Sequence, residues 1–202
     1  MPRNNVFFEL IVALGNPGQK YENTRHNAGF IVADFFAINM PGISNEFQIK
    51  GASLRKFQIN EKEIYILKPM EYMNLSGEPV NVFIKKKNLS VNQMIVLHDD
   101  MDIELGKIRF SFAAGSAGHK GVQSIIDLVG ANFARLRIGI GRESKMNGAD
   151  FVLSKFSEQE QGIFQKVVEY SASALKFSIF HGIEQAMNKY NGKRILEGEP
   201  ST

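Results

Sequence analysis

A short stretch of this 202-residue chain, LGNPGQKYENTRHNAGF (Leu14–Phe30), holds Asn16, Tyr21, Thr24, Arg25, His26 and Asn27 in one loop. All of these side chains can donate, accept or move a proton. His26 is the only one whose ordinary titration lies near neutrality, so proton transfer at neutral pH would fall to it. Polar side chains gather again in EYMNLSG (Glu71–Gly77), in His98-Asp99-Asp100 at the end of MIVLHDD, and in AAGSAGHKG (Ala113–Gly121). His26 taken alone reads equally well as a surface-loop histidine. His98 and His181 read as core or helix-face residues.

Other chemistries fit poorly. The turn Gly15-Asn16-Pro17-Gly18 follows an apolar run, as a dinucleotide fold requires. It lacks the G-x-G-x-x-G spacing, though, and Pro17 removes an amide donor. Asp100-Met101-Asp102-Ile103-Glu104 resembles a calcium loop until Leu105 stands where glycine is needed. The histidines are 26, 98, 119 and 181, and no two have i,i+4 spacing, so spacing argues against zinc. No G-x-S-x-G elbow is present for a serine hydrolase, and Ser116 sits in another context.

The elements that must position these residues alternate. Phe7–Leu14 reads as a buried strand and Ala28–Asn39 as a helix with Phe30, Ala33, Asp34 and Ala37 near one face. Glu46–Lys50, Ser53–Ile59 and Glu63–Lys68 read as short strands, the last two joined by a hairpin turn at Asn60–Lys62. Ser76, with Pro79 close behind, looks like the cap of a helix ending at Lys85-Lys86-Lys87. Met94–Asp99, Lys107–Phe112 and Arg135–Gly141 read as strands, and Gly121–Val129 as a helix. From Ser157 the pattern is helical, with Ser157 and Glu160 spaced as a capping box. The fold class expected is α/β, a single domain over 1–191 with a twisted mixed sheet flanked by helices. A polar, frayed tail is expected over 192–202. Ligands of open α/β sheets bind beyond the carboxyl ends of strands, where the loops quoted above would converge.

Composition adds bounds. At 44% hydrophobic residues the chain can build a substantial core. No apolar run approaches the roughly 20 residues a membrane helix needs. The start MPRNNVFFELIV lacks a secretory cleavage pattern, and zero cysteines suit a reducing compartment, so a cytoplasmic protein is expected. Between Leu105 and Lys155 stand eight Lys or Arg against three acids, although the whole chain carries only +3. That bias suits either phosphate binding or an ordinary solvated surface.

Taken together and in this order, LGNPGQKYENTRHNAGF, MNLSG, HDDMD, GHKG, LRIGIGR and FVLSKFS resemble bacterial peptidyl-tRNA hydrolases from about Phe7 to Lys189. The resemblance implies a cytoplasmic, monomeric α/β hydrolase that needs no metal or cofactor. Its substrate would be peptidyl-tRNA, cleaved at the ester between peptide and 3′-terminal ribose. His26 would be the general base and Asp99 the carboxylate that orients it. Asn16 and Asn74 would be substrate-positioning amides. Tyr21, Asn27 and Tyr72 would shape the cleft, and Lys107, Arg109, Arg137 and Arg142 would meet tRNA phosphates. Two positions depart from the family. Ser111 stands where a further cation is common, and Lys120 where asparagine helps position the ester or water. Non-catalytic RNA-binding relatives share this fold, but they need not keep His26, Asp99, Asn16 and Asn74 together, as this chain does.

Overall fold

Leu10 to Ala13 are all buried, as befits a strand with neighbours on both edges and helices on both faces. The computed structural model describes residues 8–42, 45–59, 61–143 and 145–195. In chain order its elements are β1 (Leu10–Ala13), α1 (Ala28–Asn39), β2 (Phe47–Ile49), β3 (Ala52–Ile59), β4 (Lys62–Pro69), α2 (Gly77–Lys87), β5 (Met94–Asp100), β6 (Ile108–Phe112), α3 (Lys120–Val129), β7 (Ala134–Gly139), α4 (Gly148–Leu153), α5 (Glu158–His181) and α6 (Ile183–Tyr190).

The strands form one mixed sheet in the order β2-β3-β4-β1-β5-β7-β6. β1 runs parallel to β4 and β5, and β5 runs parallel to β7. The hairpin strands β2, β3 and β4 pair antiparallel, as does the edge pair β6 and β7. Ile59 pairs with Lys62 to close the β3–β4 hairpin; Asn60, in its turn, lies outside the described residues.

Alternation along the central strands divides the core. Ile11, Ala13, Ile95 and Leu97 pack with α1 and α5, whereas Leu10, Val12, Met94 and Val96 pack with α2 and α3. Each of the Leu, Ile, Val and Met side chains among these, fully buried, contributes about 1.5–3 kcal/mol. α1 buries Phe30, Ala33 and Ala37 as expected, but Asp34 stays half-exposed and meets Lys68 at 2.9 Å. Gly29, in its first turn, is needed for close approach. A Cβ there would lie 2.5 Å from the Leu97 carbonyl oxygen and 2.6 Å from that of Leu14. The start of α1 is thereby pressed onto the ends of β1 and β5.

One expectation is corrected. Ser76 does not cap α2: it already has helical backbone angles, and its hydroxyl donates back to the Met73 carbonyl at 2.8 Å. A 3₁₀ turn at Met73–Leu75 runs into the helix and removes the extended residue that a capping serine requires. Of the expected tail, residues 192–195 are described. Arg194 bridges to Lys107, and Ile195 N donates to the Gly106 carbonyl at 3.0 Å, tying this segment to the start of β6. Residues 196–202 of that expected tail lie outside the described residues. The capping box at Ser157 and Glu160 is present as the spacing implied. No helix among the described residues is long and apolar enough to cross a membrane.

Candidate active site

The carboxyl ends of β1 and β5 lie side by side, and the polar loops meet there. From β1 the chain passes through Asn16 and a 3₁₀ turn at Arg25–Asn27 into α1. Asn16 and Asn27 lock this loop on itself. Asn16 N donates to Asn27 Oδ1 at 2.8 Å, and Asn27 Nδ2 donates to the Asn16 carbonyl at 3.1 Å. Asn27 is thus a scaffold for the loop. Asn16 Oδ1 in turn accepts from Met73 N at 3.2 Å, which pins the EYMNLSG segment beside the loop. With its oxygen committed, the Asn16 amide nitrogen is the end left to bind another acceptor.

His26 stands in the middle of the 3₁₀ turn and Asp99 near the end of β5. His26 Nδ1 lies 2.8 Å from Asp99 Oδ1. His119 Nε2, arriving from the opposite face of the sheet at the start of α3, lies 2.9 Å from the same oxygen. The Asp99 side chain is 2% exposed and that of His26 11%. Burial by itself would raise the Asp99 pKa. The charges and hydrogen bonds of His26 and His119 outweigh it and hold the carboxyl well below its usual range. Ionised Asp99 can only accept, so each histidine presents an N–H to it. Nε2 is then the His26 nitrogen left to exchange a proton with another molecule. His119 caps α3 by accepting from Val122 N at Nδ1, 3.3 Å away, which leaves its Nε2 turned toward Asp99.

His98, the neighbour of Asp99, is a core residue as expected. Its Nδ1 donates to the Asp99 carbonyl at 2.7 Å, and its ring stands edge-on to His119 at 4.8 Å. Burial first, and then the nearby His119, push its pKa well below the ordinary value.

His26, Asp99 and His119 also form a group able to hold a metal ion, which sequence spacing alone could not reveal. The hydrogen bonds favour protons instead. A metal would displace both N–H donors. Its second histidine would then accept at Nδ1 from Val122, whereas metal-bound histidines donate from their outer nitrogen.

Asn74 is exposed in the Met73–Leu75 turn, and Tyr72 before it is 68% exposed. Tyr21 is half-buried, with Lys20 Nζ over its ring at 4.6 Å. Lys120 is exposed on the first turn of α3; the residue of this motif that reaches Asp99 is His119.

The cations expected on phosphates lie together at the sheet edge. Arg109 and Arg137 are cross-strand partners on β6 and β7, and Ser111 and Arg135 form the next pair. Three of the expected four already have acids: Lys107 meets Glu104 at 3.0 Å, Arg137 meets Asp100 at 2.6 Å, and Arg142 meets Asp102 at 2.6 Å. Exposed Arg109 has no such acid among the described residues. Arg135, unremarked from sequence, is buried and donates to the carbonyls of Ala114 and Gly115, holding the loop that delivers His119. Nothing in its sequence context marks it apart from Arg137.

The fold and site define an α/β protein equipped for proton transfer at its strand ends. Comparison with known proteins narrows this. A family model described as peptidyl-tRNA hydrolase matches residues 10–198. The peptidyl-tRNA hydrolase of Fervidobacterium nodosum is 40% identical over 193 residues, 94% of this chain and 99% of that one. The enzyme of that name from Aquifex aeolicus is 40% identical over 190 residues, 93% and 98% of the two chains. The crystal structure of peptidyl-tRNA hydrolase from Acinetobacter baumannii matches with a TM-score of 0.88 and 34% identity, over 96% of this chain and all of that one. The chain belongs to the peptidyl-tRNA hydrolase family.

Proposed function

We propose that the chain hydrolyses peptidyl-tRNA at the ester between the peptide carboxyl carbon and the 3′-terminal ribose. His26 Nε2 takes a proton from a water molecule, whose oxygen adds to the ester carbonyl. The bond from carbon to ribose oxygen then breaks, and the imidazolium returns the proton to that departing oxygen. The products are the free peptide acid and tRNA. Asp99 holds the His26 tautomer and stabilises the imidazolium while it exists. The Asn16 amide nitrogen and Asn74 hold the carbonyl beside the water. Tyr21, Tyr72 and Lys120 line the approach of the terminal nucleotide and peptide.

The observation that carries this reading is the bond from His26 Nδ1 to a buried, ionised Asp99 next to an amide of set orientation. Substrate enters over the β6–β7 edge, with Arg109, Lys107, Arg137 and Arg142 along the tRNA path. The protein acts as a cytoplasmic monomer, and the chemical step uses no metal. Incubation with peptidyl-tRNA, with release of tRNA and intact peptide followed by electrophoresis, tests the reaction. Retained tRNA ester would sink it. After exhaustive chelation, a minimal peptidyl-ester should still be cleaved. Loss restored by one particular metal would overturn the metal-free step.

A further inference from the structure

Arg25 directly precedes His26, and its side chain is 6% exposed. The guanidinium lies over the rings of both Phe151 and Phe156, 4.4 and 4.5 Å from their centroids. Nε donates to Ser154 Oγ at 3.2 Å, Nη1 to the Ile140 carbonyl at 3.4 Å, and Nη2 to Glu160 Oε2 at 2.6 Å. The backbone follows the side chain: Arg25 N donates to the Ser154 carbonyl at 3.0 Å, and Thr24 bridges to Lys155. Glu160 Oε2 also accepts from Ser157 N, so one carboxylate oxygen joins the start of α5 to the turn that carries His26. Contacting two aromatic rings while donating from three nitrogens suits the planar guanidinium; a lysine cannot do both.

That turn is three residues long and has no side-chain cap at its start. It is held on one side by the Asn27–Asn16 interlock and on the other by Arg25, so His26 lies between two anchors. We propose that Arg25 is a positioning residue for the reaction: its clamp onto the junction of α4 and α5 sets the turn so that the His26 imidazole meets Asp99 in reactive geometry. This rests on the reading of His26 as the base. It makes the α4–α5 junction, remote in sequence, part of the catalytic scaffold.

The test uses the full chain with Arg25→Gln, Arg25→Lys and Glu160→Gln, read by steady-state kinetics on peptidyl-tRNA and by ¹⁵N spectra of the histidine rings. Arg25→Gln should lower kcat roughly ten- to a hundredfold, the scale of a small misplacement of reacting groups, with KM nearly unchanged. The His26 ring signals should move from a single Nδ1–H tautomer toward a mixture. Arg25→Lys should recover part of the loss. Glu160→Gln keeps the capping box, which glutamine also supports, and should lower kcat in the same direction by less. Unchanged kcat in Arg25→Gln, or a loss with an unaltered His26 spectrum, would overturn the proposal. Should Arg25→Gln not fold, Glu160→Gln decides: unchanged kcat with an unaltered spectrum overturns it. If wild-type protein releases no tRNA, the functional reading fails, while the ring spectra still decide whether the clamp sets His26.

Discussion

The strand ends around Asp99 and the edge formed by β6 and β7 both concentrate ionisable side chains, but they handle charge in opposite ways. At the strand ends the buried Asp99 carboxylate receives two histidine N–H groups and is kept ionised by them. At the edge, Lys107, Arg137 and Arg142 each face an acid, in pairs that are exposed to different degrees. Buried charge of the first kind is preorganised and costs no rearrangement when the reaction begins. The exposed pairs of Lys107 and Arg142 contribute little to stability and can exchange an acid partner for a phosphate, whereas Arg137–Asp100 is largely buried. The difference separates chemistry from capture: substitutions at the strand ends should act on kcat, and those at the edge on KM and its dependence on salt.

The largest effect is expected from His26→Ala. A positioned general base contributes about 10²–10⁴-fold, and kcat should fall on that scale with thermal stability nearly unchanged. A kcat within a few-fold of wild type would remove the distinction drawn between the two regions. Asp99→Asn should cost less in rate, because the imidazole remains while its tautomer is no longer enforced. His119→Asn should cost less again. Asparagine can still cap α3, while Asp99 loses one of its two donors. Kinetics of the three variants, measured side by side, should rank in that order.

The candidate stretches could be read from types and order of residues. The polar loops stood out because they lie close in sequence to strand ends, and the resemblance to the family singled out Asn16, Asn74 and Asp99 within them. The seven strands were visible because period-two alternation and continuous apolar runs are local signals. What stayed hidden depends on distant pairing. His119 reaches Asp99 across 20 positions, and Arg25 reaches Glu160 across 135, distances at which no periodicity reports contact. The metal-like grouping of His26, Asp99 and His119 was missed for the same reason: ligand spacing in sequence misses ligands brought together by the sheet. Charge counting identified the basic stretch correctly but not the acids, Asp100, Asp102 and Glu104, that face three of its members.

A smaller effect separates the buried histidine from the buried acid. His98 has a folded pKa well below its ordinary 6.5, so below that pH the unfolded chain takes up a proton that the folded chain refuses. Stability rises with pH wherever the unfolded state binds more protons, so it should fall as the solution is acidified from neutrality. Asp99, whose pKa is depressed, adds its own loss only at lower pH, beneath the ordinary carboxylate range. Thermal midpoints at about pH 7 and about pH 5 should therefore differ in wild type, reflecting a loss of stability of up to about 1.4 kcal/mol for each pH unit below the ordinary histidine value. In His98→Asn, where the amide can still donate to the Asp99 carbonyl, the two midpoints should lie closer together. Equal pH dependence in both proteins would assign the loss to another group.

The smallest effect belongs to the edge, and it tests whether the acid partners there matter. Binding of tRNA should weaken with salt, because each phosphate neutralised releases counterions, with a slope of about −0.7 to −0.9 per contact. Arg109 is exposed and faces no acid among the described residues, so Arg109→Ala should flatten the slope by close to one contact. Lys107 starts from its pair with Glu104 at 3.0 Å, and a phosphate must displace that carboxylate before any counterion benefit is realised. Lys107→Ala should therefore flatten the slope by clearly less, and Glu104→Gln should strengthen binding at low salt. Both changes should be read in KM, since the edge lies apart from the ester. If Lys107→Ala flattens the slope as much as Arg109→Ala does, the pair with Glu104 opens freely on binding. The edge would then behave as a uniform run of cations, with no member held back by its neighbour.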